Sequence, residues 1–289
     1  MFWQMLIIGI TIGGMYALLA TGFSLVFSLL GFSNWAHGEI AMVGTYVALF
    51  GMTLASLPFP LAIVLGLVAA GLVSVLSERL LYRRIRENKS PLMFIMIAAM
   101  GASVVLQNAG MIWFGSQFRM FPMLFSGAIQ LGGLRIRILD LIALGISAVV
   151  LIGLEILVSK TKFGLGVRAI ASDSHTANLL GFNVDRIYVL VFFISGVLAG
   201  VAGILYGFQF MVYPMMGNIA LKAFIACILG GLGSIRGAIL GAVLIGIAEA
   251  MVAGFLNSGL RDIIVFGLLI AVLLIRPSGL LGVAIEEKA

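Results

Sequence analysis

KTKFGLGVRAIASDSHTANLLGFNVDR, residues 160–186, is the longest polar stretch of this chain, and apolar segments precede and follow it. It therefore reads as a loop between membrane spans. Its chemistry is not that of a plain linker. Ser172 or Asp173 can cap a helix start, because a short side-chain oxygen accepts a hydrogen bond from an orphan N–H of the first turn. Gly181 can end that helix, since glycine takes the left-handed conformation without a Cβ penalty. Between them Ala177, Leu179 and Leu180 form a small apolar edge. A helix of about two turns does not persist alone in water. This one is expected to dock, on its own bundle or on another protein.

The flanking composition fixes the class. The 289 residues are 62% hydrophobic and 10% charged, with a mean hydropathy of +1.23. Soluble domains carry about 25% charged residues, so this chain cannot make a water-facing surface. The expected fold is an all-α integral membrane protein, a polytopic bundle of about eight to ten transmembrane helices. The 37 glycines suit close helix–helix approach in lipid. The net charge of +6 sits in loops between spans, where it sets orientation in the membrane rather than nucleic-acid binding. Cys227 stands alone in an apolar run, so no intrachain disulfide is possible and a buried packing role is expected. The first apolar segment has no Lys or Arg before it, unlike a cleavable signal peptide, and is expected to stay in the protein.

A span needs about 20 apolar residues. On that measure the first runs over 5–30, and a second follows the polar break at 33–39 and reaches 57. A third ends near 82, next to the basic cluster 79–89, which is placed in the cytoplasm. The fourth and fifth cover 92–114 and 138–158, with 115–137 outside, and the loop 160–186 is again cytoplasmic. Segments six to nine are 188–208, 219–232, 237–255 and 261–275. The tail is then cytoplasmic and the N-terminus outside. No segment between spans is long enough for a core of its own, so residues 1–289 read as one transmembrane domain.

Ionisable groups at membrane depth are expensive and point to function. His37 and Glu39 border the break. A proton relay and a metal site are weighed against the favoured reading, polar groups that satisfy backbone where a helix is broken and lines a cavity. Lys222 and Glu249 fall in the seventh and eighth segments. They either pair inside the bundle, or Lys222 snorkels while Glu249 is protonated. The run from Gly230 to Gly237 is not a phosphate-binding loop, since no Lys-Ser/Thr follows at the required spacing. It reads as tight packing at a turn. With no Walker motif, Ser/His/Asp set or HExxH, neither ATP hydrolysis nor other catalysis is expected of this chain, and no cofactor or metal is called for.

Four groups of residues, in order, carry a resemblance. They are Asn34-Trp35-Ala36-His37-Gly38-Glu39; Gly164-Leu165-Gly166-Val167-Arg168-Ala169 with Ala177-Asn178-Leu179-Leu180-Gly181; Lys222-Ala223-Phe224 leading into Leu229-Gly230-Gly231-Leu232-Gly233-Ser234; and Pro277-Ser278-Gly279-Leu280-Leu281-Gly282. Together they resemble branched-chain amino acid ABC transporter permeases of the LivH type. Trp35 stands where that family more often has Phe. The resemblance implies a type II importer permease in the inner (plasma) membrane of a bacterium. It implies a second, related permease subunit, two cytoplasmic ATPase subunits, and a periplasmic or lipid-anchored solute-binding protein. It makes the loop a coupling helix, with Arg168, Asp173, Ala177, Leu179, Leu180 and Gly181 as its residues. Asn34, Trp35, His37, Glu39, Lys222 and Glu249 become the candidates for the translocation pathway. The implied substrates are leucine, isoleucine and valine, although the same pattern also serves other amino acids, amides and urea. The competing reading is an ion-coupled transporter or channel without an ATPase, which broken glycine-rich helices and Glu249 would also suit.

Overall fold

The structure is a computed structural model that describes residues 1–88, 90–122, 127–131 and 134–282. Lys89 of the basic cluster and parts of the segment 115–137 lie outside the described residues. Among those described, seven helices are long and apolar enough to cross a membrane. They are Phe2–Leu30, Phe59–Glu87, Leu92–Phe114, Ile138–Lys160, Val184–Gln209, Ile235–Phe255 and Ser258–Ile275. Two more apolar helices are shorter, His37–Thr53 and Pro214–Gly230. The expected eight to ten spans are thus seven full-length helices and two short ones.

In chain order we number α1 (Phe2–Leu30), α2 (His37–Thr53), α3 (Phe59–Ser77), α4 (Arg83–Glu87), α5 (Leu92–Phe114), α6 (Ile138–Lys160), α7 (Lys162–Ser172), α8 (Ser174–Leu179), α9 (Val184–Gln209), α10 (Ile219–Gly230), α11 (Ile235–Phe255) and α12 (Arg261–Ile275). A π turn, Glu78–Tyr82, joins α3 to α4. A small antiparallel hairpin, β1 (Ala128–Leu131) and β2 (Leu134–Arg137), sits in the segment before α6. The alternation Leu134-Arg135-Ile136-Arg137 has the two-residue period that a strand requires.

The two short helices are short because irregular lead-ins enter the bundle before helix begins, polar before α2 and largely apolar before α10. Gly31, at φ 67, ends α1, and the chain turns back in irregular form until His37. The His37 ring then packs 4.6 Å from the Phe23 ring, at a level of α1 about 10 Å short of its end by helical rise. On the other side of this arrangement, a 3-10 turn, Pro214–Asn218, leads into α10.

α1 and α9 form the interior, with long runs of fully buried residues. α1 crosses α11 at glycines: a Cβ at Gly13 would stand 2.8 Å from the Val243 Cα. In lipid, where apolar side chains gain nothing by leaving solvent, such close backbone approach is what holds helices together. α3, α5, α6 and α12 lie outside and present Leu72, Val104, Val105, Val149, Ile152 and Leu274, as lipid-facing helices should.

At one end of the bundle the basic cluster is tied down. Arg83 bonds Glu87 at 2.7 Å and Asp185 at 3.0 Å, and Arg86 bonds buried Glu78 at 3.0 Å. The π turn turns Glu78 and Tyr82 inward, and extra residues in a helical turn do this by shifting every later side chain around the axis. The glycine-rich turn lies at the same end and does pack tightly. Leu280 N–H donates to Leu229 O and Leu281 N–H to Gly230 O, both at 2.9 Å, so the tail seals the turn. Cys227 is buried, as expected.

A charged clamp fixes the short helix α10. Lys222 Nζ lies 2.6 Å from Glu249 Oε1 on α11 and 3.1 Å from Asp262 Oδ1 on α12. The Tyr16 hydroxyl of α1 donates to Glu249 Oε2 at 2.8 Å. Of the two alternatives left open by the sequence, pairing is the one adopted, with Tyr16 and Asp262 as additional members.

Two outcomes follow for thermal unfolding in detergent. Lys222→Met strands the buried Glu249 charge and should cost about 3 kcal/mol, whereas Lys222→Met/Glu249→Leu should recover most of it; a double variant no more stable than the single would contradict a clamp. Gly13→Val should destabilise by about 1–3 kcal/mol through overpacking. Gly101→Ala, on α5 with nothing near the added Cβ, should be neutral or gain up to about 1 kcal/mol.

Candidate functional site

A cavity of about 90 Å³ opens where the two short helices begin. Its walls come from the break and its surroundings: Phe23 of α1, Ser33, Trp35 and Glu39 around the start of α2, Ser103 of α5, and Asn218 and Phe224 around the start of α10. The break is held open by Asn34, whose Oδ1 accepts from the Ala36 N–H at 3.1 Å and from the Tyr82 hydroxyl at 2.7 Å. A side-chain oxygen here takes the place of a missing helical acceptor, which is how irregular backbone is tolerated at depth.

Glu39 falls in the first turn of α2, where the partial positive end of a helix favours a carboxylate. It is 6% exposed. Oε1 accepts from the Ser103 hydroxyl at 3.0 Å, and Oε2 has no hydrogen-bond partner. Gly217 closes against it, since a Cβ there would overlap the Glu39 carboxylate, and a Cβ at Gly38 would overlap the Gly217 carbonyl. Trp35 is 39% exposed and stands 5.7 Å from the Phe224 ring.

Of the six pathway candidates, the structure brings only Trp35 and Glu39 to this cavity. Asn34 and His37 lie behind this cavity rather than on its wall. His37 is fully buried against Gly22 and Phe23, with Nδ1 3.4 Å from the Ser195 hydroxyl. The reason is helical phase: His37 and Glu39 are two residues apart, so they point to different sides of α2. No group of three or more His, Cys, Asp or Glu suited to a metal ion occurs among the described residues. Lys222 and Glu249 belong to the clamp. Ser103, Gly217 and Asn218 were not singled out from the sequence. A lone serine in an apolar helix and a Gly-Asn pair after a proline are common, and only the fold sets them against Glu39.

The loop also differs from the single two-turn helix expected. It holds two helices, α7 and α8, each with its own cap. Thr161 accepts from the Gly164 N–H at 3.3 Å, and Asp173 accepts from the His175 N–H at 2.9 Å and from the Thr176 hydroxyl. These bonds hold the Asp173 carboxyl below the usual carboxylate range, the Thr176 hydroxyl contributing most. Arg168 lies on α7 and donates to Val158 O. Ala177 is buried, while Leu179 and Leu180 are 75% and 72% exposed. The expected shared apolar edge is therefore split, because Ala177 turns into the bundle and the two leucines turn away. Gly181, at φ 89, ends the loop helix as expected. Phe182 N–H then donates to Ala177 O at 3.1 Å, and Asn183 caps α9 by accepting from the Arg186 N–H at 3.0 Å.

Residues 5–273 match the family model described as "Branched-chain amino acid transport system / permease component". The chain is 37% identical to the high-affinity branched-chain amino acid transport system permease protein BraD of Pseudomonas aeruginosa, over 99% of this chain and 97% of that one. It is also 37% identical to the corresponding permease protein LivH of Escherichia coli K12, at the same coverage. The probable branched-chain amino acid transport permease protein LivH of Methanocaldococcus jannaschii is 30% identical over 92% of this chain and 88% of its own. With its polytopic helical fold, the chain is a multi-pass inner-membrane protein and belongs to the branched-chain amino acid transport permease family.

Proposed function

We propose that this chain forms part of the translocation pathway of an ATP-driven ABC importer for branched-chain or closely related amino acids. A second, related permease subunit completes the pathway, two cytoplasmic ATPase subunits drive it, and a solute-binding protein, periplasmic or lipid-anchored, delivers the substrate on the opposite face. Family membership and the names of the relatives support the substrate class.

The observation that carries the ATPase docking is the α7–α8 loop. Leu179 and Leu180 are exposed on a segment that Ala177 and α7 tie to the bundle. Ala177 anchors α8 to the bundle, Gly166 of α7 lies against Phe182 and Ile187, and Asn183 makes the loop continuous with α9. A push on the two leucines passes to α9. From there the Ser195 hydroxyl, which donates to Gly22 O at 3.1 Å, carries it to α1 next to the cavity. Closure of an ATPase pair would rock these packed helices between two arrangements, as bistable interfaces do. The ion-coupled alternative loses its support from Glu249, whose carboxylate is paired with Lys222 and bonded by Tyr16.

Affinity purification of the tagged protein with its co-expressed subunits tests this reading. The wild type should retain an ATPase. Leu179→Asp/Leu180→Asp should release it and lower ATP-driven leucine uptake by about tenfold or more, the order expected when a charge enters an apolar contact. Retention of the ATPase by the variant with unchanged uptake would exclude α8 as the docking element. Uptake by the purified protein with no ATPase, abolished by collapsing the ion gradient, would exclude the importer.

A further inference from the structure

Resting on that importer reading, we propose that the cavity at Glu39 is a transit subsite for the ammonium group of an aliphatic amino acid. Its apolar walls would take the branched side chain.

The first argument is charge. A carboxylate buried without a counter-charge is costly in a membrane protein. None of the ion pairs among the described residues includes Glu39. Lys222, the basic residue nearest to the cavity in sequence, is held by Glu249 and Asp262. His37, two residues before Glu39, faces Phe23, Gly22 and Ser195. One oxygen of Glu39 is fixed by Ser103 and the other has no partner. The group is held in place and one donor short of satisfied.

The second argument is what surrounds it. Ser33 and Asn218 line the same cavity and supply further oxygens to a cation with three N–H donors. Phe23, Trp35 and Phe224 form an aromatic part of the wall, with Ala220 and Leu221 beside them. Aromatic faces attract an ammonium and also cover an aliphatic chain. At about 90 Å³ the space is several times what one water needs, and suits a small solute rather than a large one.

The third argument is what the lining lacks. No Lys or Arg contributes to the described lining, so no side-chain cation there forms an ion pair with a substrate carboxylate. The site reads the ammonium end of the amino acid and leaves the acid end toward the opening beside Trp35. This gives weak, one-ended recognition, which a transit site needs if the solute is to leave again.

The assembled transporter, with ATPase and second permease but without the solute-binding protein, would be placed in lipid nanodiscs. Binding of tritiated leucine would then be competed with isoamylamine, which keeps the ammonium, and with isocaproate, which keeps the carboxylate. The amine should compete and the acid should not. Glu39→Gln should weaken leucine binding by about tenfold or more, the range for a hydrogen bond to a charged group, and Ser103→Ala by less. Glu39→Asp, with the charge retained, should restore part of the affinity. In ATP-driven uptake Glu39→Gln should raise KM more than it lowers kcat. If Glu39→Gln does not assemble, Ser103→Ala carries the test. Unchanged affinity in both variants, competition by the acid equal to that by the amine, or no leucine binding by the assembled wild type would each overturn the subsite. Those results in a complex that still imports leucine with ATP would leave the importer reading standing. Failure to recover any ATPase would remove that reading, whatever leucine does at Glu39.

Discussion

Gly38 and Gly217 meet with no room for a side chain between them, and much of this structure depends on that contact. A chain inside a membrane must satisfy each backbone N–H and C=O within the protein. Two helices that begin part-way through the bundle put that rule under strain, because a helix start leaves several N–H groups without partners. Here the two starts are pressed together. Asn34 supplies an acceptor on one side, and the 3-10 turn Pro214–Asn218 continues directly into α10 on the other. The irregular backbone is buried in protein, away from lipid, and the small gap it leaves is the Glu39 cavity.

Around this contact the bundle is braced at several points. α1 and α11 are locked by glycine-mediated backbone approach, and α10 is fixed by the Lys222 clamp to three other helices. At the end that carries α7 and α8, the Arg83 and Arg86 pairs bind α4 to the start of α9. α9 is therefore held at the same place where the loop joins it. A displacement at the loop has a continuous packed route to α1 and the cavity. Packed contacts of this kind are one means by which distant sites can be coupled.

The charged groups divide by their partners. Lys222 and Glu249 have opposite charges, geometry and a hydroxyl to satisfy them, and they serve as structure. Glu39 has Ser103 and the end of α2 but no counter-ion among the described ion pairs. Glu39 and Glu249 thus sit in different electrostatic settings within one bundle, and the difference lies in their neighbours rather than in their own chemistry.

The class of the protein, the limits of α5 and α12, the glycine-rich turn as a packing element and a helix cap at Ser172 or Asp173 were all legible in the sequence. Each rests on a local property: run length, composition, or a side chain acting on backbone a few residues away. Family membership was legible for the same reason, in short runs such as those at residues 34–39 and 277–282. The pairing of Lys222 with Glu249 could be read only as one of two options. The recruitment of Tyr16 and Asp262, and the seating of Glu39 against Ser103 and Gly217, could not be read at all. Those contacts join residues tens to hundreds of positions apart. Helical phase likewise sent His37 and Glu39 to opposite environments, and Ala177 away from Leu179 and Leu180, although each set is nearly contiguous in the chain. Local sequence fixes what a segment can become, whereas which side chain meets which is set by how the helices cross, and that is decided only when all of them pack.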